Sequence, residues 1–364
     1  MDAVQKWKLK VNVDKTKIMC FGRKRKSKFT LNGELIEIVD TFKYLGVLFS
    51  KNGRFLKAIK ENIQKATKGL FTLRRAFSEK FIPLDCQLDL FAKTLDPILL
   101  YGSEVWGYET VNVLDQFQLK ITKQLLGVRK STPAYMVYGE IGIIPISVII
   151  KKRMFMYWHR LITGNRNKLA YQLYNIMLRD TITRNVNYKW LSKIESILNE
   201  TGNSYMWLNQ FSNPFNASRV KQNIQDQAIQ EMYSLCGNSN KGRSYASLKV
   251  VWEQELYISV LSSHKTRVLT KFRTANHKLP IETGRYNNTP LVDRKCPICT
   301  DKIGDEYHFV LECPKFKPQR RKFIDRIFYT RPNMQKYINL MQSRSLENLS
   351  KLSSFVEIIM KSFE

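Results

Sequence analysis

The sequence predicts a mainly α-helical protein that opens with a small antiparallel β sheet and carries a short zinc-type segment near its end. Three observations lead there. The spacing of apolar residues changes from a period of two to a helical period near Gly53. The dipeptide Asn32-Gly33 lies between two short apolar runs, and Asn-Gly accepts the positive φ angles of a tight hairpin turn. Three cysteines and one histidine fall within 18 residues between Cys296 and Cys313.

The elements follow in order. Trp7, Leu9 and Val11 alternate with lysines, a strand period. Ile18, Met19, Cys20 and Phe21 form a short apolar run before the basic run Arg23-Lys24-Arg25-Lys26. Phe29-Thr30-Leu31 and Leu35–Val39 are the expected arms of the hairpin, and Tyr44–Phe49 reads as one further strand. Phe55, Ile59, Ile63, Ala66, Leu70, Leu73 and Phe77 then share one face of a helix. Pro83 starts a second helix, where a missing N–H costs nothing, and it runs to Tyr101. A third carries Val113, Phe117, Ile121 and Leu125 and stops at Gly127. Pro145 opens a helix with the basic patch Lys151-Lys152-Arg153. Trp190, Ile194 and Ile197 make another stripe, and Val220, Ile224, Ala228 and Met232 the next. Residues 236–242 are the best linker candidate, and Leu346, Leu349, Leu352, Val356 and Ile359 predict a closing helix. The expected segments are 1–53, 54–165, 166–290, 291–325 and 326–364.

Charge narrows the function. Lys and Arg number 60 against 31 Asp and Glu, a net +29. A compact body with that charge repels itself unless a polyanion neutralises it, and nucleic acid is the usual polyanion. An anionic membrane surface is the lesser competitor, and a basic protein with no such partner is the plain alternative. No apolar run reaches the roughly 18 residues of a membrane span. Met1–Lys10 hold no apolar signal-peptide core, and six cysteines are too few for a secreted disulfide framework. The expected location is nuclear or cytoplasmic, not secreted, with no membrane partner.

The strongest chemical signal is Cys296, Cys299, His308 and Cys313, spaced C-x2-C-x8-H-x4-C. Three thiolates and one imidazole close a tetrahedron around Zn2+ and leave no open position, which implies scaffolding. Lys315, Lys317, Arg320 and Arg321 follow at once and are candidate phosphate contacts. Tyr307, Phe309 and Phe316 are candidate base-stacking rings, with packing under the metal the plainer role for Phe309. His159, His264 and His277 read as ordinary surface or helix residues, and Cys20, Cys86 and Cys236 as small core hydrophobes.

Several segments carry a resemblance to a known family. Asn12-Val13-Asp14-Lys15-Thr16-Lys17-Ile18-Met19-Cys20-Phe21 resembles palm motif D of non-LTR (LINE-type) retrotransposon reverse transcriptases. Phe42-Lys43-Tyr44-Leu45-Gly46-Val47 is similar to their motif E, the primer grip, and Pro97–Gly107 to their thumb signature. Lys271-Phe272-Arg273-Thr274, Glu282-Thr283-Gly284-Arg285 and the Cys/His segment resemble their C-terminal region. The resemblance implies a palm remnant over 1–53, a helical thumb over 54–165, a helical connector over 166–290 and a CCHC zinc knuckle over 291–325. It implies RNA or DNA as partner, along with the missing N-terminal half of the polymerase. Lys15 resembles a motif D lysine that protonates departing pyrophosphate, although a solvated lysine is favoured here. Tyr44 and Gly46 would hold a primer strand.

The family uses two Mg2+ ions held by motif A and Tyr-x-Asp-Asp carboxylates. Those elements lie upstream of the motif D segment, and the sequence contains no Asp-Asp pair. The expectation is a nucleic-acid-binding fragment that does not polymerise alone. The alternatives are part of an active polymerase once joined to its upstream half, and a non-functional relic. The run Arg23–Lys26 is open between a nuclear-import signal, a phosphate-binding loop and a solvated charge run.

Overall fold

The computed structural model describes residues 11–21, 28–31, 33–79 and 82–364. Trp7, Leu9, the basic run Arg23, Lys24, Arg25 and Lys26, and Asn32 lie outside the described residues. The described chain is mainly helical, with its strands confined to the first 50 residues.

The single antiparallel sheet expected there is instead three separate two-stranded ladders. Thr30–Leu31 pairs antiparallel with Glu34–Leu35, and the chain reverses at Gly33 with φ of 84°. Lys17–Ile18 pairs with Glu37–Ile38 in parallel. Thr41–Tyr44 pairs antiparallel with Val47–Ser50, which corrects the continuous strand expected over Tyr44–Phe49. Leu45 and Gly46 both have positive φ, 45° and 84°, and make a two-residue turn. Period-two alternation cannot distinguish one strand from two arms joined by such a turn. The Tyr101 hydroxyl donates to the Leu45 carbonyl at 2.7 Å, and its ring lies 3.0 Å from where a Gly46 Cβ would sit. The motif E-like and thumb-like segments therefore touch. Among the described residues Val11, Phe21, Leu35, Ile38, Tyr44 and Leu45 are exposed apolar side chains at this end.

From Leu56 onward the expected helices form, one of them with a shifted stripe. Helix Leu56–Glu79 buries Ile59, Ala66 and Leu70 and packs along helix Leu84–Leu99, which starts behind Pro83 and ends two residues before Tyr101. Gly102, at φ 70°, opens the short helix Ser103–Trp106 and sends Trp106 into the core, where its Nε1 donates to the Tyr101 carbonyl. Helix Asn112–Leu126 ends at Gly127, as expected, but its stripe is shifted. Leu114, Ile121 and Leu125 are buried together with Gln118 and Thr122, while Val113 is exposed. Polar side chains on a buried face hide it from a hydrophobicity pattern, and Thr122 meets its need locally by donating to the Gln118 carbonyl.

Helix Ile146–Thr163 follows Pro145, and helices Lys189–Glu200 and Pro214–Gly237 carry the two stripes beyond it. One apolar cluster runs from Ile59 through these helices to Met360 in the closing helix Leu346–Lys361. Among the described residues no single helix is long and apolar enough to cross a membrane.

Three local expectations are corrected. Residues 236–242 are no free linker, because helix Pro214–Gly237 runs into them and the Gly242 N–H donates to the buried Glu282 carboxylate at 3.1 Å. Cys86 is exposed rather than core. His277 is neither on the surface nor in a helix but buried against Glu306 at 3.0 Å, whereas His159 is a helix residue, as expected, with the Ser212 hydroxyl at 2.8 Å.

Gly142 caps helix Ala134–Ile141 at φ 67°, and a Cβ there would meet the Gln254 backbone nitrogen. The left-handed geometry and the backbone contact add, so Gly142→Ala should cost about 3 kcal/mol, measurable by urea unfolding. An unchanged midpoint would show that the 251–255 segment moves aside freely.

Candidate metal centre

The site is built by two short loops. In the first, Cys296 N–H donates to the Lys302 carbonyl at 2.8 Å, and Lys295 bridges Ile303, closing a tight loop around Cys296-Pro297-Ile298-Cys299. Thr300, with φ of 51°, turns the chain back after the second cysteine. In the second, His308–Glu312 forms a π-helical turn, and Cys313 N–H donates to the His308 carbonyl at 2.8 Å. This solves a spacing problem. Residues five apart stand about 140° apart on an α-helix, so His308 and Cys313 would diverge. An i→i+5 turn brings them to one side. Asp305 caps the turn by accepting the His308 N–H at 2.8 Å.

The four side chains converge as the spacing predicts. Their ligand atoms all lie within 4.8 Å of one another, and Cys296 Sγ and Cys313 Sγ are 4.0 Å apart. Tetrahedral Zn–S bonds of ~2.3 Å place sulfurs roughly 3.8 Å apart, so the set fits. A second sign is chemical. His308 Nε2 is buried with no hydrogen-bond partner, while Nδ1 faces the Glu312 carboxylate at 3.3 Å. A carboxylate on one ring nitrogen fixes the tautomer that offers the other nitrogen to a metal. Burial lowers the His308 pKa, which keeps the ring neutral and available. Burial and the neighbouring Cys296 and Cys313 sulfurs push the Cys299 thiol up to about 12, and burial likewise raises Cys313. A bound cation would reverse that preference by stabilising the thiolates. The cluster could therefore hold a metal such as zinc. Among the described residues it is the one such convergence of three or more His, Cys, Asp or Glu side chains.

The sequence singled out the four ligands but missed what holds them. Glu312, four residues after His308, is one such residue, and that spacing was a usable signal. Arg320 is the other. It is buried, and its guanidinium donates to the carbonyls of Val310, Phe309 and Cys313 at 2.6, 3.3 and 2.8 Å. Arg320 thus ties the second loop together instead of standing free for phosphate. Phe309 and Phe316 are buried, with Phe309 edge-on to the His308 ring, and Tyr307 packs against Tyr337, so all three rings face protein. The segment is continuous with the main core through Cys296, Phe309 and Phe316.

The remaining predicted contacts are scattered. Lys315 is exposed, its Nζ 5.5 Å from the Phe316 and Phe363 rings. Lys317 and Arg321 are exposed on the rim of a cavity of about 550 Å3 beside Cys299 and His308. Lys151 pairs with Glu200 at 2.8 Å, Lys152 donates to Gln225, and Arg153 donates to the Leu100 carbonyl at 2.9 Å. That patch of three is engaged with protein. Lys15 is exposed, Lys17 pairs with Glu37 at 2.6 Å, Tyr44 is exposed, and Gly46 backs onto Tyr101.

No family model matches the chain, and no solved structure matches it. It is 28% identical over 144 residues to the RNA-directed DNA polymerase from mobile element jockey of Drosophila melanogaster. The matched part covers 37% of this chain and 16% of the relative's length. A mainly helical chain with a Cys3His cluster thus shares a distant origin with a mobile-element reverse transcriptase.

Proposed function

We propose that this chain is a nucleic-acid-binding portion of a non-LTR retrotransposon reverse transcriptase, braced by a structural Zn2+ and inactive as a polymerase alone. The observation that carries it is the excess of 60 basic over 31 acidic residues on a folded body. The distant relationship to an RNA-directed DNA polymerase and the order of the motif-like segments support it. Zn2+ would be held by Cys296, Cys299, His308 and Cys313, a closed set that leaves no position for a reacting group. The partner is RNA or DNA, in the nucleus or cytoplasm. Lys315, Lys317 and Arg321 are exposed cations near the cluster, while Arg320 and the Lys151–Arg153 patch serve the fold.

Electrophoretic mobility shift at low salt should show a complex with single-stranded or duplex nucleic acid. With about six phosphates contacted, affinity should fall about 10^3-fold between 50 and 200 mM salt. Absence of any complex at low salt sinks the reading.

The small share of the relative that is matched favours a second reading: one part of an active polymerase whose Mg2+ ligands lie in an upstream half. Primer extension on an RNA template separates the two. Extension only after that half is added supports the second, and extension by this chain alone overturns the proposed inactivity.

A further inference from the structure

Three segments distant in sequence meet around one cavity of about 500 Å3 on the described chain. They are residues 129–131, the loop holding Lys241, and residues 275–287, a turn leading into the short helix Pro280–Tyr286 that carries the Glu282–Arg285 motif-like segment. The lining carries four cations, Arg129, Lys241, Lys278 and Arg285. It carries one carboxylate, Glu282, which is already engaged: Oε2 accepts from Arg285 Nε at 2.8 Å and Oε1 from the Gly242 N–H at 3.1 Å. Among the described residues no carboxylate pairs with Arg129, Lys241 or Lys278. His277 also lines the cavity, but it pairs with Glu306.

Arg129 and Lys278 are exposed, whereas Lys241 is half-buried and its ammonium donates to the Ser131 carbonyl at 3.5 Å. Burial lowers the Lys241 pKa, and the surrounding Arg285, Arg129 and Lys123 lower it further against the pull of Glu282. A cation held inward among like charges is a poor resting state and a good host for an anion. Tyr286, at 83% exposed, stands on the rim with its ring open to solvent among the described residues.

We propose that this cavity grips a phosphate of a single-stranded nucleic acid, with Arg129, Lys241, Lys278 and Arg285 on the backbone and Tyr286 stacking the neighbouring base. The concave shape and the open ring suit an unpaired strand, since a base paired in a duplex does not offer its face. This rests on the nucleic-acid reading above and gives it a location away from the metal cluster. It also gives the Glu282–Arg285 segment a purpose: Glu282 fixes Arg285 and the Gly242 loop so that the cations converge.

The test uses the full chain, a fluorescent ten-residue oligo(dT) followed by anisotropy across a salt series, and inorganic phosphate followed by calorimetry. Arg129→Gln with Lys278→Gln removes two exposed cations, and Lys241→Gln removes the third. Arg285 is left in place because Glu282 depends on it. The double variant should weaken oligo(dT) binding about tenfold or more and flatten the log–log salt slope by about 1.4, at about 0.7 per lost contact. Tyr286→Ala should weaken binding with the slope unchanged. Thermal unfolding of each variant should match the parent. If the parent binds oligo(dT) and the triple variant binds with equal affinity and slope, the cavity is not the site, and the general reading stands. If the parent binds no nucleic acid, the general reading falls and the cavity with it. Saturable phosphate binding lost in the variants, with oligo(dT) affinity untouched, would make this a free-anion site and overturn the proposal.

Discussion

With Zn2+ held as proposed, excess chelator should unfold residues 291–325 and lower the urea midpoint of the whole chain. The segment has little apolar interior of its own. Cys296 and Cys313 are buried, and the buried His308 Nε2 beside them has no hydrogen-bond partner, a role a cation would fill. In zinc-finger peptides the metal supplies about 10–16 kcal/mol, which is folding free energy. Here the loss is shared with the main core, because Phe309 contacts Phe363 and Phe316 contacts Phe355 of the closing helix. Cys296→Ser should therefore cost on the order of 5 kcal/mol. Limited proteolysis should first cut within 291–325 of the chelated protein, and elemental analysis should find one zinc per chain. Equal urea midpoints with and without chelator, with no zinc bound, would leave three buried thiols and no metal site.

Arg273→Met is expected to cost about 3–5 kcal/mol, the range for removing one partner of a buried ion pair. Arg273 and Glu140 are both almost fully buried. Arg273 Nε donates to the two Glu140 oxygens at 3.1 and 2.9 Å, and Nη1 donates to the Met341 carbonyl at 3.3 Å. Nη2 lies 3.0 Å from Glu255, an ion-pair distance without hydrogen-bond alignment. Glu255 also takes Lys249 at 2.8 Å, and the Tyr257 hydroxyl closes the node on Glu140 and Thr270. Burial weakens the charged form, but Glu140 and Glu255 outweigh it and hold the guanidinium charged. Methionine fills similar space yet leaves the buried Glu140 carboxylate without its countercharge, while Glu255 keeps Lys249. Arg273→Lys keeps the charge but loses the fork, so it should fall between. Urea unfolding of the two variants decides it. A methionine variant as stable as the parent would mean that the node relaxes or takes up water.

The residues legible in the sequence are those whose partners are close along the chain. The hairpin around Gly33, the stripe from Phe55 to Phe77, the stop at Gly127 and the Cys/His ligands were all marked by local spacing. The misreadings have one origin. Tyr44–Phe49 looked continuous because Leu45-Gly46 carries no strong turn signal, and the turn is held by Tyr101, 56 residues later. Arg320 looked like a phosphate contact because a sequence shows its charge and not the three carbonyls around it. Lys151, Lys152 and Arg153 looked like a patch for the same reason, although each meets a partner from another helix or helix end.

By itself, then, the sequence determined the helical class, the basic character and the four candidate metal ligands. All three depend on composition or on spacing within one element. The tertiary structure alone decided which charges are available. It buried Arg273 and Arg320, paired Lys151, and drew Arg129, Lys241, Lys278 and Arg285 around one cavity. Periodicity tells which side of its own helix or strand a residue occupies. What stands opposite depends on how distant segments pack, and that sets whether a charge meets protein or is left for a ligand.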